Sequence, residues 1–320
     1  MTATHAGWYL AAFTDEITSD LTPLRIGDRR IMVIRTEVDG GPVYRVTDST
    51  CPHRGANLAQ GGEVRGDCVV CPFHGRLIAT SNHPKRASVN AYETLHIGPL
   101  LFVRFADGEP GDCGFPAALR TMTEGSVILP AVNELVDVPC EFVVENAFDV
   151  EHFSPVHSVP NLDGMVTSAQ PDGTLVIGGD FVTMTDPWYD QRFAEAARAY
   201  LAGGDWKPSR RSAFRAVAFS PTVVATSFGS EDNPPVILTA ATPEPGGTRV
   251  RVSVIGKDSP ALPHIVNGSK VAIAQDTEVW AHLDHDAPWA LDDADVNVVA
   301  YRAWIDRFPS LVAPRSAPVP

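Results

Sequence analysis

Two short segments constrain this chain more than anything else in it: Cys51-Pro-His53 and, seventeen residues on, Cys71-Pro-Phe-His74. Two thiolates and two imidazoles arriving as matched pairs suit a metal centre with one sulfur side and one nitrogen side. Tetrahedral zinc accepts the same four ligands and is the first rival. Each pair runs at once into glycine, as His53-Arg-Gly55 and His74-Gly75. Glycine there lets two loop tips turn tightly and brings backbone amides close to sulfur. Residues 8–106 supply a frame for such loops. Trp8–Phe13, Ile31–Arg35, Val43–Val46, Cys68–Val70 and Leu100–Phe105 are rich in aromatic and β-branched residues and are separated by Gly-Asp, Asp-Gly-Gly and Gly-Gly turns. Cys68 mimics a further C-x-x-C with Cys71 but reads as a buried strand residue.

That module needs about the first third of the 320 residues, which leaves room for a second domain. The best boundary is the Gly- and Pro-rich stretch 107–118, giving domains of 1–115 and 116–320. A formal charge of −14 argues against nucleic acid or an anionic membrane as partner. No apolar run approaches the roughly 18 residues of a membrane span, and the N-terminus has no signal-peptide pattern. Of five cysteines, Cys68, Cys113 and Cys140 lack disulfide-like spacing, so a reducing cytoplasm is the expected compartment.

From about residue 119 the pattern becomes α+β. Helical character is expected over 139–153, opened by Pro139. Strands follow through 163–186 and 211–256, with hairpin turns at Pro171-Asp-Gly173 and Glu244-Pro-Gly-Gly247. Helices near 262–285 and 295–308 close the chain. Gln191–Leu201 reads as an amphipathic helix stopped by Gly203-Gly204, either packed on the surface or acting as a lid. The tail from Ala313 is Pro- and Ala-rich.

The second constellation is Asp149-Val-Glu-His152-Phe-Ser-Pro155-Val-His157. Five positions on an ideal helix would turn the two imidazoles about 140° apart. Pro155 is expected to break the helix between them and swing His157 back beside His152. Two imidazoles with one carboxylate form the facial triad suited to non-haem Fe(II).

The first motif resembles the Rieske [2Fe–2S] motif, in which Cys51 and Cys71 would hold one iron and His53 and His74 the other. The family's D-x-x-H-x-x-x-x-H motif matches Asp149, His152 and His157 at every spacing. Over nearly its full length the chain therefore resembles the α subunit of a Rieske non-haem iron oxygenase. The resemblance implies an all-β cluster domain followed by a helix-grip (START-like) catalytic domain, with an antiparallel sheet and a long C-terminal helix. It makes His152 and His157 ligands of a mononuclear Fe(II), with O₂ as co-substrate. It makes Asp149 the link to the Rieske centre of a neighbouring subunit in a head-to-tail homotrimer. Asp276, in Asp276-Thr-Glu-Val-Trp280, resembles the third ligand of the 3-ketosteroid 9α-hydroxylase and cholesterol 7-desaturase branch; Glu278 is the alternative. Pro288-Trp-Ala-Leu291 and Arg302-Ala-Trp304 echo that branch loosely. His282 and His285 would line the pocket or sit exposed at a helix end.

The implied reaction is hydroxylation of a hydrophobic or polycyclic metabolite. Dihydroxylation, demethylation, desaturation and oxidative cyclisation use the same machinery, and a bare Rieske electron carrier is the rival of another class. The sequence holds no dinucleotide fingerprint, so a separate ferredoxin or flavin-containing NAD(P)H reductase is expected. Two departures stand out. Ala56 and Phe73 occupy places where high-potential relatives carry a disulfide, and Arg76 stands where many relatives have Trp.

Overall fold

Aromatic and β-branched runs carry the front of the chain into antiparallel strands, as their alternation requires. In a computed structural model, residues 5–105, 111–157, 164–183, 210–229, 234–284 and 287–311 are described. The expected Gln191–Leu201 helix, His285 and the tail from Ala313 lie outside them. The first strands are β1 (Gly7–Phe13), β2 (Leu21–Ile26), β3 (Arg29–Val38) and β4 (Gly41–Asp48). Three short strands follow, β5 (Glu63–Arg65), β6 (Cys68–Val70) and β7 (Leu77–Ala79), then β8 (Ala91–Ile97) and β9 (Leu100–Phe105). Among the described residues these form a six-stranded sheet in the order β1-β9-β8-β4-β3-β2 and a three-stranded sheet β5-β6-β7.

A helix, α1 (Phe115–Thr123), leads into β10 (Val127–Val136), followed by α2 (Cys140–Glu145) and α3 (Phe153–His157). Then come β11 (Val166–Ala169), β12 (Leu175–Thr183), β13 (Arg210–Ser220), β14 (Val223–Phe228), β15 (Val236–Glu244) and β16 (Gly247–Gly256). They build a seven-stranded antiparallel sheet, β10-β16-β15-β14-β13-β12-β11. Val250, Val252 and Val254 of β16 are buried, but so are Arg251, Ser253 and Ile255 between them, so this strand is covered on both faces rather than half-buried as its alternation suggests. The long helix α4 (Leu262–Trp280) packs Ile273 and Trp280 against Val132, Val136 and Val252 of this sheet. Helix α5 (Val296–Ile305) closes the other end with Tyr301 and Trp304 over Phe148, Ile177 and Phe214. A long helix gripped by a curled antiparallel sheet is the helix-grip arrangement, so the expected α+β class holds.

The two large sheets share a core. Trp8, Leu10 and Phe102 of the first pack with Phe115, Phe219 and Leu238. Strand β1 is an edge strand, and its outward carbonyls would be orphans if buried without partners. The second sheet satisfies them: Thr222 Oγ1 donates to Trp8 O at 2.7 Å, and Thr242 Oγ1 and Arg251 Nη1 donate to Leu10 O at 3.0 and 3.2 Å. Arg251, 3% exposed, also forks onto both carboxylate oxygens of Glu16 at 3.0 Å.

Two expectations about residues 139–157 do not hold. Residues 139–153 do not form a continuous helix: α2 stops at Glu145, and turns and open chain occupy 146–152. Pro155 does not break a helix between the histidines either, because it lies inside α3. In a first turn the missing N–H would have no intrahelical acceptor anyway, so proline is tolerated there.

Candidate metal centres

The loops 51–56 and 71–76 repeat one backbone motif. The Cys51 amide donates to Ala56 O, and the Cys71 amide to Arg76 O, each at 2.8 Å. Within them Gly55 and Gly75 donate back to the carbonyls of Cys51 and Cys71, both at 2.9 Å. These glycines have φ of 76° and 65°, the left-handed region where a side chain would be strained. The tight tips point the amides of His53 and Arg54 at the Cys51 sulfur, and those of Phe73 and His74 at the Cys71 sulfur.

Both cysteines are buried against Met32, Ile34, Leu58, Val69 and Ile78, and their sulfurs hydrogen-bond to each other. Burial and the neighbouring sulfur push the Cys51 thiol up. For Cys71 burial acts the same way, but the Phe73 amide, the bond from Cys51 and the His74 amide outweigh it and the thiol is lowered. The amides that lower Cys71 are the kind of donors that favour the thiolate form a metal ligand needs. The His53 and His74 rings stand 4.8 Å apart, centroid to centroid. His53 Nδ1 is buried without a hydrogen-bond partner, and the loss of hydration together with Arg76, His74 and Arg54 pushes this imidazole down, toward the neutral form. A buried, unpartnered nitrogen on a partly exposed imidazole, with a second imidazole beside it and a sulfur pair fed by amides in the paired loops, fits an iron–sulfur centre with two nitrogen ligands.

The second site is assembled from three stretches. Asp149 and His152 come from the irregular chain after α2, His157 ends α3, and Asp276 lies in α4. His152 Nε2 and His157 Nε2 are 3.2 Å apart, and Asp276 Oδ1 is 3.2 Å from the latter and 3.9 Å from the former. The three ligand atoms lie within 4.8 Å of one another. The opposite ring nitrogens are tied down. His152 Nδ1 bonds Asp149 O, with the Asp149 carboxylate 3.7 Å away, and His157 Nδ1 bonds Gln275 Oε1 at 3.0 Å. Each Nδ1 donates outward, which turns the lone pair of each Nε2 inward.

Burial pushes the His152 imidazole down, aided by His157 and opposed by Asp276 and Asp149. For His157 burial acts the same way, but the bond to Asp276 overrides it and the imidazole is raised. A buried carboxylate, 6% exposed, and two inward imidazoles make a donor set that fits a divalent iron ion with positions left open.

Glu278 is exposed, one residue pair along α4 and turned away, so Asp276 alone meets the histidines. His282 is exposed and bonds Glu278 O at the helix end, away from the cavity. Asp149 is not on a helix with His152, as its spacing suggests, yet it still reaches that imidazole. Gln275 was not among the sequence candidates; the only signal for it is its polarity beside Asp276 in an otherwise apolar run.

Above the triad lies a cavity of about 140 Å³. Phe153, Phe214 and Phe228 form one wall, Ile237, Val252 and Ile273 another, and Asn146, Thr226 and Thr239 add polar groups. Among the described residues no helix is long and apolar enough to cross a membrane.

Comparisons with known proteins agree with this geometry. Residues 7–92 match the Rieske [2Fe-2S] domain model, and residues 106–308, more than half the chain, match the 3-ketosteroid 9alpha-hydroxylase C-terminal domain model. The chain is 31% identical over 137 residues to the cholesterol 7-desaturase of Xenopus laevis, covering 39% of this chain and 30% of that protein. It is 30% identical over 132 residues to the 3-ketosteroid-9-alpha-monooxygenase oxygenase component of Rhodococcus rhodochrous, covering 37% and 33%. These matches span about a third of the length of the curated relatives. Among solved structures, NdmA of Pseudomonas putida CBB5 with caffeine superposes with a TM-score of 0.66 over 94% of this chain and 89% of that one. At 18% identity that likeness speaks to fold alone.

Proposed function

This chain belongs to the Rieske non-haem iron oxygenase α subunits, with a catalytic half of the 3-ketosteroid 9α-hydroxylase type, and on that premise we propose that it hydroxylates a C–H bond of a hydrophobic substrate. The observation that carries the proposal is the convergence of His152 Nε2, His157 Nε2 and Asp276 Oδ1 on the floor of an apolar cavity. Cys51, His53, Cys71 and His74 would hold the [2Fe–2S] cluster, and His152, His157 and Asp276 the mononuclear iron. When bound, the cluster supplies electrons and the ferrous ion activates dioxygen.

The chain's own residues do the rest. Gln275 and the Asp149 carbonyl fix the two imidazoles so that their Nε2 atoms stay aimed at one point. The apolar walls hold the substrate and keep bulk water from the reacting carbon. The Asp149 carboxylate, partly exposed and 3.7 Å from the His152 imidazole, would link the two centres for electron transfer across a subunit boundary. That role calls for a head-to-tail trimer, with residues 1–115 of one copy serving 116–320 of the next. A ferredoxin or flavin reductase would act as electron donor. A reducing, cytoplasmic setting is part of this reading, because Cys68, Cys113 and Cys140 lack disulfide-like spacing.

Iron counting tests the reading. A loaded oxygenase carries about three irons per chain, two in the cluster and one beside His152. Protein reconstituted with ample ferrous iron that stops at two would be an electron carrier instead.

A further inference from the structure

One partly buried ion pair stands where the chain enters the iron site. Glu145 ends α2 with its side chain nearly closed off from water, and Arg302 of α5 forks onto both its carboxylate oxygens, Nη2 at 2.9 Å from Oε1. The guanidinium also lies 4.9 Å from the Phe142 ring and 4.6 Å from the Trp289 ring. Packed apolar side chains would often stabilise such a spot as well or better, so an ion pair held here points to something it keeps in place.

The bonding along the backbone identifies what that is. The Glu145 carbonyl accepts the amides of Phe148 at 2.7 Å and Asp149 at 2.9 Å. The Asp149 carbonyl accepts the Nδ1–H of His152, whose Nε2 faces His157 and Asp276. Residues 146–152 form no regular helix, so no repeating ladder sets their orientation. We propose that Arg302 is a positioning residue for the iron site, holding Glu145 so that the linked bonds through Asp149 aim the His152 imidazole. The inference rests on the reading that His152, His157 and Asp276 bind iron. Fork geometry is essential to it: a guanidinium fixes the carboxylate plane through two bonds, which a lysine ammonium cannot do.

The test uses holoprotein whose mononuclear iron has been removed with a mild chelator, leaving the cluster in place. Fe(II) is then titrated back under anaerobic conditions, with visible absorption and melting temperature recorded in parallel. Arg302→Gln should weaken Fe(II) binding about 10- to 100-fold, the range for loss of a group that supports a ligand, with cluster absorption unchanged. Arg302→Lys, which keeps the charge but not the fork, should bind nearly as weakly as Arg302→Gln, and wild-type affinity in it would overturn the fork argument. Trp289→Leu, which removes one exposed face of the stack, should weaken binding roughly threefold.

Wild-type affinity in a folded Arg302→Gln overturns the proposal. So does a variant that loses iron and cluster together with its fold while Trp289→Leu binds as wild type, since the pair would then be a general brace. A wild-type protein that takes up no iron beyond the cluster would sink the metal-site reading itself, and the inference with it. Normal wild-type uptake with indifferent variants would sink the inference alone.

Discussion

The loops at 51–56 and 71–76 bury their cysteines and turn their histidines toward the surface, whereas the chain at 149–157 turns its histidines inward beneath a cavity. His74 and Phe73 are exposed, the latter at 58%, while His152 and His157 are largely enclosed. Both sites use two imidazoles, so the histidines by themselves do not separate them. Access does. A centre that only exchanges electrons gains from lying near the surface, because the rate depends on how closely a partner approaches. A centre that handles oxygen and a C–H bond gains from excluding water. Glycine makes the first geometry, by permitting tight loop tips. Irregular chain with outward Nδ1 bonds makes the second.

The largest effect expected from breaking this comparison is on the sulfur side. Cys51→Ser should abolish the visible absorption of the cluster, since the sulfurs lie together in an apolar nest with no substitute ligand beside them. Iron uptake at His152 should survive, measured as residual Fe(II) per chain; unchanged absorption would remove Cys51 from the ligand set. His152→Ala should do the reverse, leaving the absorption intact and eliminating both the third iron and product formation. Retained turnover would break the triad.

Asp149→Ala should come next in size. It preserves the backbone carbonyl that holds His152 Nδ1, so both metals should remain. Electron delivery from reduced cluster to the iron site should slow by about 10- to 100-fold, read as the reoxidation rate on mixing with oxygen and substrate. A rate equal to wild type would confine Asp149 to a structural role.

How much of this was legible in the sequence follows the range of the interactions. Trp8–Phe13 and Leu100–Phe105 are strands as their composition requires, because strand preference and local alternation agree. Gly55 and Gly75 announced their tight turns for the same local reason. That only one of Asp276 and Glu278 could face the iron was also open to sequence reasoning, since residues two apart on a helix face different sides, and the family resemblance favoured Asp276. The path of 139–153 was not. Pro139 marks where α2 starts, but its end is set by tertiary contacts: Phe148 stacks on Tyr301 at 5.2 Å, and Arg302 fixes Glu145. Those partners lie about 150 residues downstream, beyond any local pattern. Gln275 was hidden likewise, because its partner His157 is 118 residues away in sequence.

A smaller effect concerns how the two regions are joined. Glu16 belongs to the front sheet's region and Arg251 to the second sheet. Burial raises the Glu16 carboxyl, but Arg251 and the Phe13 amide outweigh it, so its pKa in the folded protein is lowered. A lowered folded value means the contribution is complete above the unfolded value, about pH 4.3, and is lost as pH falls through the folded one. Glu16→Gln should cost about 2–3 kcal/mol near neutral pH, because Arg251 is left buried without its main partner. It should also flatten the acid limb of the stability curve. Denaturant melts at pH 7, about pH 4 and about pH 3 check both, and an acid limb as steep as wild type would remove Glu16 from the account.

The smallest expected change is also the sharpest control on the first site. Cys68 lies three residues before Cys71 and is as buried, yet its sulfur faces the other way. It donates to Asp67 Oδ1 at 3.3 Å and accepts from Arg86 Nη1 at 3.3 Å, on the side of β6 away from the paired loops. The alternation of a strand enforces this, because Cys68 and Val69 point to opposite faces and Val69 packs beneath the cluster loops with Cys51 and Cys71. Cys68→Ala should therefore keep the cluster absorption and cost about 1 kcal/mol or less, the loss of two partly exposed hydrogen bonds. Loss of absorption in that variant would mean the third cysteine reaches the metal, and the division between a sulfur pair buried by design and a thiol buried only as strand filling would fail.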